Sequence, residues 1–233
     1  LAISLGSGAT DVASITLGLS EAELKTITTS GMLKIGAAGN AGAMTLAGAL
    51  DLTSGSGLTG ALTLDAGSSG FSVVNPIHTS YGLNISTGGT LINTAANTAG
   101  GEVFLKADKM DLAGGTISAS SVGLMPKTGG NAIAIHVGTA AATDLTASTL
   151  ELSNAELNTI TAGTLRIGDA GSGAIDIKTA LLKTAGGALT NVSAALNLTS
   201  GGAITQQAGA TIDVLPGLNL SGASVLMQEA NPV

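Results

Sequence analysis

Side chains able to carry acid–base or metal chemistry are sparse in this chain of 233 residues. There are two His, fifteen Asp plus Glu, eight Lys plus Arg, and no Cys. The absence of Cys excludes disulfides, thiolate metal sites and Cys nucleophiles. A metal or proton-transfer site would want His78 and His136 near each other or near carboxylates. The alternation around His136 places it outward, toward solvent. Two carboxylate pairs, Glu21 with Glu23 and Asp108 with Asp111, have a spacing that could serve polysaccharide cleavage, where two acids share the reaction. Glu23 returns later in the chain as Glu156, whereas Glu21 is replaced by Asn154. A catalytic pair that survives in one copy only makes a poor active site. A sugar cleft would also want more basic or aromatic residues. These acids therefore read as solvated turn carboxylates. The expectation is that the chain is not an enzyme, with no catalytic residue, no metal site and no cofactor.

Gly55-Ser56-Gly57-Leu58-Thr59-Gly60 matches a dinucleotide-binding fingerprint by letters. That motif needs a following helix to receive the pyrophosphate. Here Ala61-Leu62-Thr63-Leu64-Asp65 alternates as a strand does, so the glycines read as a corner turn. No Gly-Gly-x-Gly-x-Asp repeat occurs, which argues against a calcium-binding roll. An ice-binding face would need one outward motif at every rung, but the outward residue changes from Lys34 to Thr45 to Asp51 to Thr63. Stacked Thr and Asn ladders fit better.

Composition limits the architecture. Charged residues make up 10% of the chain and aromatic residues 1%, with 35 Gly, no Trp, two Phe and one Tyr. Ordinary globular domains carry about 25% charged residues. The core must be thin and built from Leu, Ile, Val and Ala. A net charge of -7 argues against nucleic-acid binding. Lys106 and Lys109, the closest basic pair, have Asp108 and Asp111 beside them. No apolar run is long enough to span a membrane.

An internal repeat is the strongest signal. Leu19-Ser20-Glu21-Ala22-Glu23-Leu24-Lys25-Thr26-Ile27-Thr28 returns as Leu152-Ser153-Asn154-Ala155-Glu156-Leu157-Asn158-Thr159-Ile160-Thr161. Gly31-Met32-Leu33-Lys34-Ile35-Gly36 returns as Gly163-Thr164-Leu165-Arg166-Ile167-Gly168. Thr10-Asp11-Val12 matches Thr143-Asp144-Leu145, and Ile3-Ser4-Leu5-Gly6 matches Ile135-His136-Val137-Gly138. The period is about 132 residues. The expected organisation is one continuous unit over 1–233, a slice of a longer array, with a first copy at 1–133 and a partial second at 134–233.

Inside each copy, apolar residues alternate with small polar ones over three to five positions. Leu33-Lys34-Ile35, Leu62-Thr63-Leu64, Leu83-Asn84-Ile85, Val103-Phe104-Leu105, Ile175-Asp176-Ile177, Leu196-Asn197-Leu198, Ile212-Asp213-Val214 and Leu218-Asn219-Leu220 are examples. This is the signature of half-buried strands. One helical turn per copy is expected at Ser20–Leu24 and at Ser153–Leu157, where Ser is followed three residues later by Glu as in a capping box. Many short strands without hairpin spacing, a thin aliphatic core and Gly- and Asn-rich turns predict an all-β fold, a right-handed parallel β-helix or β-solenoid. At roughly 20 residues per rung the chain would make about eleven or twelve rungs, a rod on the order of 50 Å long. The segment 71–81 is the least regular, and Phe71, Pro76, His78 and Tyr81 form a candidate lateral contact patch there.

The repeated text, Leu-Ser-x-Ala-Glu-Leu-x-Thr-Ile-Thr followed by Gly-x-Leu-Lys/Arg-Ile-Gly, resembles repeats of very large filamentous-haemagglutinin-type proteins. These are bacterial exoproteins of the two-partner-secretion and autotransporter kinds. Leu198-Thr199-Ser200-Gly201-Gly202-Ala203-Ile204-Thr205-Gln206 also resembles their rungs. The resemblance implies a parallel β-helix, an extracellular or cell-surface location, and a role in adhesion or in an extracellular fibre. A slice with open ends would have unpaired rung edges, so the expected partners are neighbouring repeats or identical subunits end to end, with host or cell-surface receptors engaged by regions outside this stretch. A self-assembling filament or sheath subunit is the alternative, and a polysaccharide-active enzyme the third reading.

Overall fold

The structure is a computed structural model and describes residues 1–13, 15–136, 145–213 and 217–229. Val137, Gly138, Thr143, Asp144 and Val214, which enter the repeat and strand readings above, lie outside the described residues. The fold is all-β with parallel sheets. Strands of the first copy are β1 (Ala2–Leu5), β2 (Thr16–Leu19), β3 (Thr28–Thr29), β4 (Leu33–Gly36), β5 (Met44–Leu46) and β6 (Leu50–Leu52). They continue with β7 (Gly57–Leu58), β8 (Leu62–Asp65), β9 (Phe71–Val73), β10 (Ile77–Thr79), β11 (Leu83–Ser86) and β12 (Thr90–Asn93). Next come β13 (Ala96–Ala99), β14 (Glu102–Lys106), β15 (Lys109–Asp111), β16 (Thr116–Met125), β17 (Ala132–His136) and β18 (Thr149–Ser153). The last are β19 (Ile160–Ile167), β20 (Ile175–Ile177), β21 (Val192–Thr199), β22 (Ala203–Gln206), β23 (Gly217–Ser221) and β24 (Ser224–Leu226). Two short helices, α1 (Glu21–Thr26) and α2 (Asn154–Asn158), sit where the capping boxes are read.

Parallel pairing between strands distant in sequence organises the sheets. The largest runs in the order β4-β8-β11-β14-β16-β19-β21-β23. Its register aligns Lys34, Thr63, Asn84, Phe104, Gly123, Arg166, Asn197 and Asn219 in one outward column. The flanking positions point inward. Leu83, Val103, Val122, Leu165 and Leu196 form one buried column, and Ile85, Leu105, Leu124, Ile167 and Leu198 the other. A period-two alternation of apolar and polar residues thus becomes a row of aliphatic side chains along the stacking direction. Burying each of them contributes about 1.5–3 kcal/mol.

The long repeat is visible in the topology. In the first copy the order β2-β1-β5 sets β2, later in sequence, on the far side of β1. In the second copy β18-β17-β20 does the same. In both, the chain pairs a strand, leaves on a crossover, and returns to pair in parallel on the other edge of that strand. Such a crossover needs about a dozen residues. This detour makes the sequence separation between paired strands unequal. From Leu62 to Leu83, Val103 and Val122 the chain advances about 20 residues per partner, but from Val122 to Leu165 it advances about twice that. The longest ladder therefore holds eight strands, fewer than a uniform 20-residue coil would give, and spans about 34 Å at about 4.8 Å per strand.

Gly168 shows why the repeated Gly is kept. It has φ +77, and a Cβ there would stand 2.3 Å from the Thr199 carbonyl oxygen. Its equivalent Gly36 has φ +85 and would meet the Asp65 carbonyl at 2.1 Å. Both strain and a backbone clash oppose any side chain. Gly130 has φ +82 but open space around it. Gly168→Ala is expected to cost at least about 2 kcal/mol and Gly130→Ala about 1 kcal/mol, because only the first adds a clash to the left-handed penalty. Urea unfolding of the two variants measures the difference, and equal losses would contradict the stacking geometry at Gly168.

Candidate functional site

Three of the four acids singled out for chemistry, Glu21, Glu23 and Asp108, accept structural hydrogen bonds. In α1 the Ser20 hydroxyl accepts from the Glu23 N–H at 3.2 Å. The Glu23 carboxylate in turn accepts from the Ser20 N–H at 2.9 Å and the Ser20 hydroxyl at 2.7 Å. Glu21 is paired with Lys25 at 2.7 Å and accepts from the Asp51 N–H at 3.0 Å. The Lys25 hydrogen bond and then the Asp51 N–H hold the Glu21 carboxyl below its ordinary value. The Ser20 donors do the same for Glu23. Asp108 accepts from the N–H and hydroxyl of Thr128 at 2.7 and 2.5 Å. Asp111 lies in β15, in register with Ile92.

The second copy rebuilds the same cap in the interior. Glu156 closes a capping box with Ser153 at 2.7 and 2.8 Å and also accepts from the Leu112 N–H at 3.2 Å. It is 0% exposed. Burial pushes its carboxyl above the usual range, against the lowering effect of the Ser153 and Leu112 donors. A folded-state value above the unfolded one favours the protonated form. That contribution to stability is present at low pH and is lost as pH rises through the folded value.

Asp65 behaves in the opposite sense. It ends β8, is 4% exposed, and lies 3.0 Å from the Lys34 ammonium and 3.5 Å from that of Lys127. It also accepts from the Gly67 N–H at 3.2 Å. Burial raises its carboxyl, but the Lys34 hydrogen bond, the Gly67 N–H and the charges of Lys127 and Lys34 outweigh this, so the net direction is down. Sequence reading missed this cluster, because Lys34 and Lys127 reach it from other rungs and nothing local marks it. The buried Asn93–Asn97 pair was missed for the same reason. Asn97 accepts from the Ile77 N–H at 2.9 Å and donates to the Asn93 side-chain oxygen at 2.6 Å.

The candidate contact patch is divided by the structure. Phe71 is 1% exposed, in register with Leu91, and packs in the core, so its ring is not offered to a lateral partner. The segment around it is regular, forming β9 and β10, because its apolar residues alternate inward like those of neighbouring rungs. Pro76 is half-buried, and its carbonyl accepts from the Leu50 N–H. His78 and Tyr81 remain outside. His78 is in the outward column Asp51, His78, Thr98, Ser118, Thr161, with Nδ1 2.6 Å from the Thr98 hydroxyl. Tyr81 is 39% exposed. His136 is half-buried in β17, opposite Ser153 and on a different sheet from His78. The glycines from Gly55 to Gly60 lead into β8 and not into a helix.

Along the outward column of the largest sheet, Asn84 donates to Thr63 at 3.0 Å and Asn219 to Asn197 at 2.7 Å. Arg166 pairs with Glu102, and Lys106 with Asp169. Phe104 lies over Gly123, where a Cβ would meet the ring at 2.5 Å. Among the described residues no group of three His, Asp or Glu could hold a metal ion, and no helix is long and apolar enough to cross a membrane. No family model, curated protein or solved structure matches the chain.

The lowered Asp65 value sets a pH test. Its contribution is present above the unfolded carboxylate value near 4 and is lost as pH falls through the lower folded value. Asp65→Asn should cost about 1–3 kcal/mol at pH 7. The gap between parent and variant should narrow as pH falls below about 4. Urea unfolding across that range checks it, and a gap unchanged by pH would remove the ion cluster from the account.

Proposed function

We propose that this chain is a structural and adhesive repeat shaft, the stiff rod of a secreted or cell-surface bacterial fibre of the filamentous-haemagglutinin type. In this reading 1–233 is one continuous right-handed parallel β-helix, a slice of a longer array, whose shape is its function. The observation that carries the reading is the eight-strand parallel ladder, whose equivalent positions align from Lys34 to Asn219. Parallel crossovers within one sheet are right-handed in about 98% of cases, which supports the handedness. Glu23, Glu156, Asp65 and Asp108 are committed to caps or to hydrogen bonds and ion pairs with distant segments, which favours a mechanical role over polysaccharide cleavage. In this reading the partners are neighbouring repeats, with host or cell-surface receptors engaged by regions outside this stretch.

The alternative is a filament or sheath subunit stacked end to end. Val225 and Leu226 on β24 are 44% and 55% exposed.

Small-angle scattering of the isolated chain, with immunogold labelling of the producing cells, tests the reading. The expected result is a rod-like profile, label on extracellular fibres, and no turnover of acidic polysaccharides. A compact profile, cytoplasmic label, or turnover abolished by Glu23→Gln or Glu156→Gln would overturn it. A denatured mass no greater than that of this chain, with fibres far longer than one chain, would favour the alternative.

A further inference from the structure

Two buried amides break the aliphatic interior of the first copy. Asn93 ends β12 and Asn97 lies in β13, and they are 2% and 5% exposed. Both stand at inward positions, Asn93 in register with Val73 and Asn97 with Ile117. Hydrogen bonds fix how the two amides face. The Asn97 side-chain oxygen accepts from the Ile77 N–H at 2.9 Å, and a backbone N–H can only donate. The Asn97 nitrogen is therefore the group turned toward Asn93 and the Ala95 carbonyl, at 2.6 and 3.3 Å. Its partner on Asn93 must be an acceptor, so the Asn93 oxygen faces Asn97 and the Asn93 nitrogen is left to point elsewhere. Turning the Asn93 amide over would set two NH2 groups against each other.

Asn93 Nδ2 is buried and has no hydrogen-bond partner among the described residues. An amide nitrogen held away from water without an acceptor is costly. Asn93 and Asn97 both line an interior cavity of about 10 Å³, whose other walls are aliphatic and include Val73, Leu91, Val103 and Ile117. One water needs about 10–15 Å³ of such space. The Asn93 nitrogen offers two N–H groups, and an amide oxygen has two lone pairs, of which the bonds above use one on each Asn. A water therefore has donors and acceptors to meet here. The space is too small for an organic ligand, and its lining carries no charge to hold an ion.

We propose that this cavity is a binding site for one water molecule, which accepts a hydrogen bond from Asn93 Nδ2. The water completes a relay through the interior. Asn97 serves the Ile77 N–H of β10, Asn93 serves the Asn97 nitrogen, and the water serves Asn93. The relay joins β10 and β13, which belong to the largest sheet, to β12, which belongs to the sheet β9-β12-β15. Its role is to hold two sheets at a fixed offset by directed bonds, where aliphatic contacts alone would let them slide. The inference does not depend on the shaft reading.

Water-selective NOE and ROE spectra of the nitrogen-15-labelled chain test the site without any substitution. The expected result is a cross-peak between water and the side-chain NH2 of Asn93, with the sign of a water that tumbles with the protein. An Asn93 amide with no such cross-peak, or one that contacts a protein acceptor in its place, would overturn the proposal. Val73→Ile adds one carbon to the same space and should remove the cross-peak. It should also raise the unfolding equilibrium constant on the order of tenfold, because the displaced water leaves the Asn93 nitrogen unpaired. A cross-peak that persists in this variant would place the water elsewhere and overturn the site. A variant more stable than the parent would do the same, since a dry space gains from being filled. Val103→Ile fills the cavity from another wall and replaces Val73→Ile if that variant does not fold.

Discussion

The structure depends on one interaction: the parallel backbone ladder between strands that are neighbours in space and distant in sequence. Each strand supplies the N–H and C=O groups that satisfy the next, so the alternation of side chains is copied from strand to strand without slipping. A shift of one residue would turn every inward Leu or Ile outward. The aliphatic columns on either side of the outward column hold that register. The core can then be thin, because each side chain packs on its equivalents above and below, and large aromatic residues are not needed. Phe71 fits this rule as a column residue, and Phe104 as the exception that lies flat over Gly123 on the outside.

The same constraint decides what the polar residues do. A carboxylate near a rung boundary finds unpaired backbone donors and becomes a cap. Glu23 and Glu156 both close boxes with the preceding Ser, and Glu156 also takes a donor from the neighbouring rung. Asp65 collects cations from two other rungs. Asp65, Asp108 and Glu156 thus tie together segments that are distant in sequence. Across the acidic range Asp65 and Glu156 pull in opposite directions, since the partners of one favour its charge while burial of the other opposes it.

Much of this was legible in the sequence, and the reasons are physical. Alternation marks strands because their side-chain period is two, and it located β4, β8, β11, β14, β20 and β23. Ser followed by Glu three residues on marked both helices, because a capping box is a local device. The glycine pair Gly36 and Gly168 was visible as a repeat, although the carbonyl each one faces was not. Inter-rung chemistry was not legible. Lys127 and Asp65 are remote in sequence, as are Leu112 and Glu156, and no local pattern joins them. The unequal separations were missed because the crossovers after β1 and β17 resemble ordinary turns in composition. Phe71 was placed in a contact patch because Pro76 and the aromatic residues Phe71 and Tyr81 look like a break in the pattern, yet the alternation continues through β9 and β10.

Continuous stacking of equivalent positions is the central claim, and one distance tests it most directly. The chain has no Cys, so Lys34→Cys and Asn219→Cys introduce two unique sites for spin labels at the ends of the outward column. Seven strand spacings of about 4.8 Å place the two backbone positions about 34 Å apart. A narrow dipolar distribution centred near that value, widened by the label arms, is the expected result. A short distance below about 20 Å, or a broad distribution without a maximum, would contradict the ladder and the functional reading built on it.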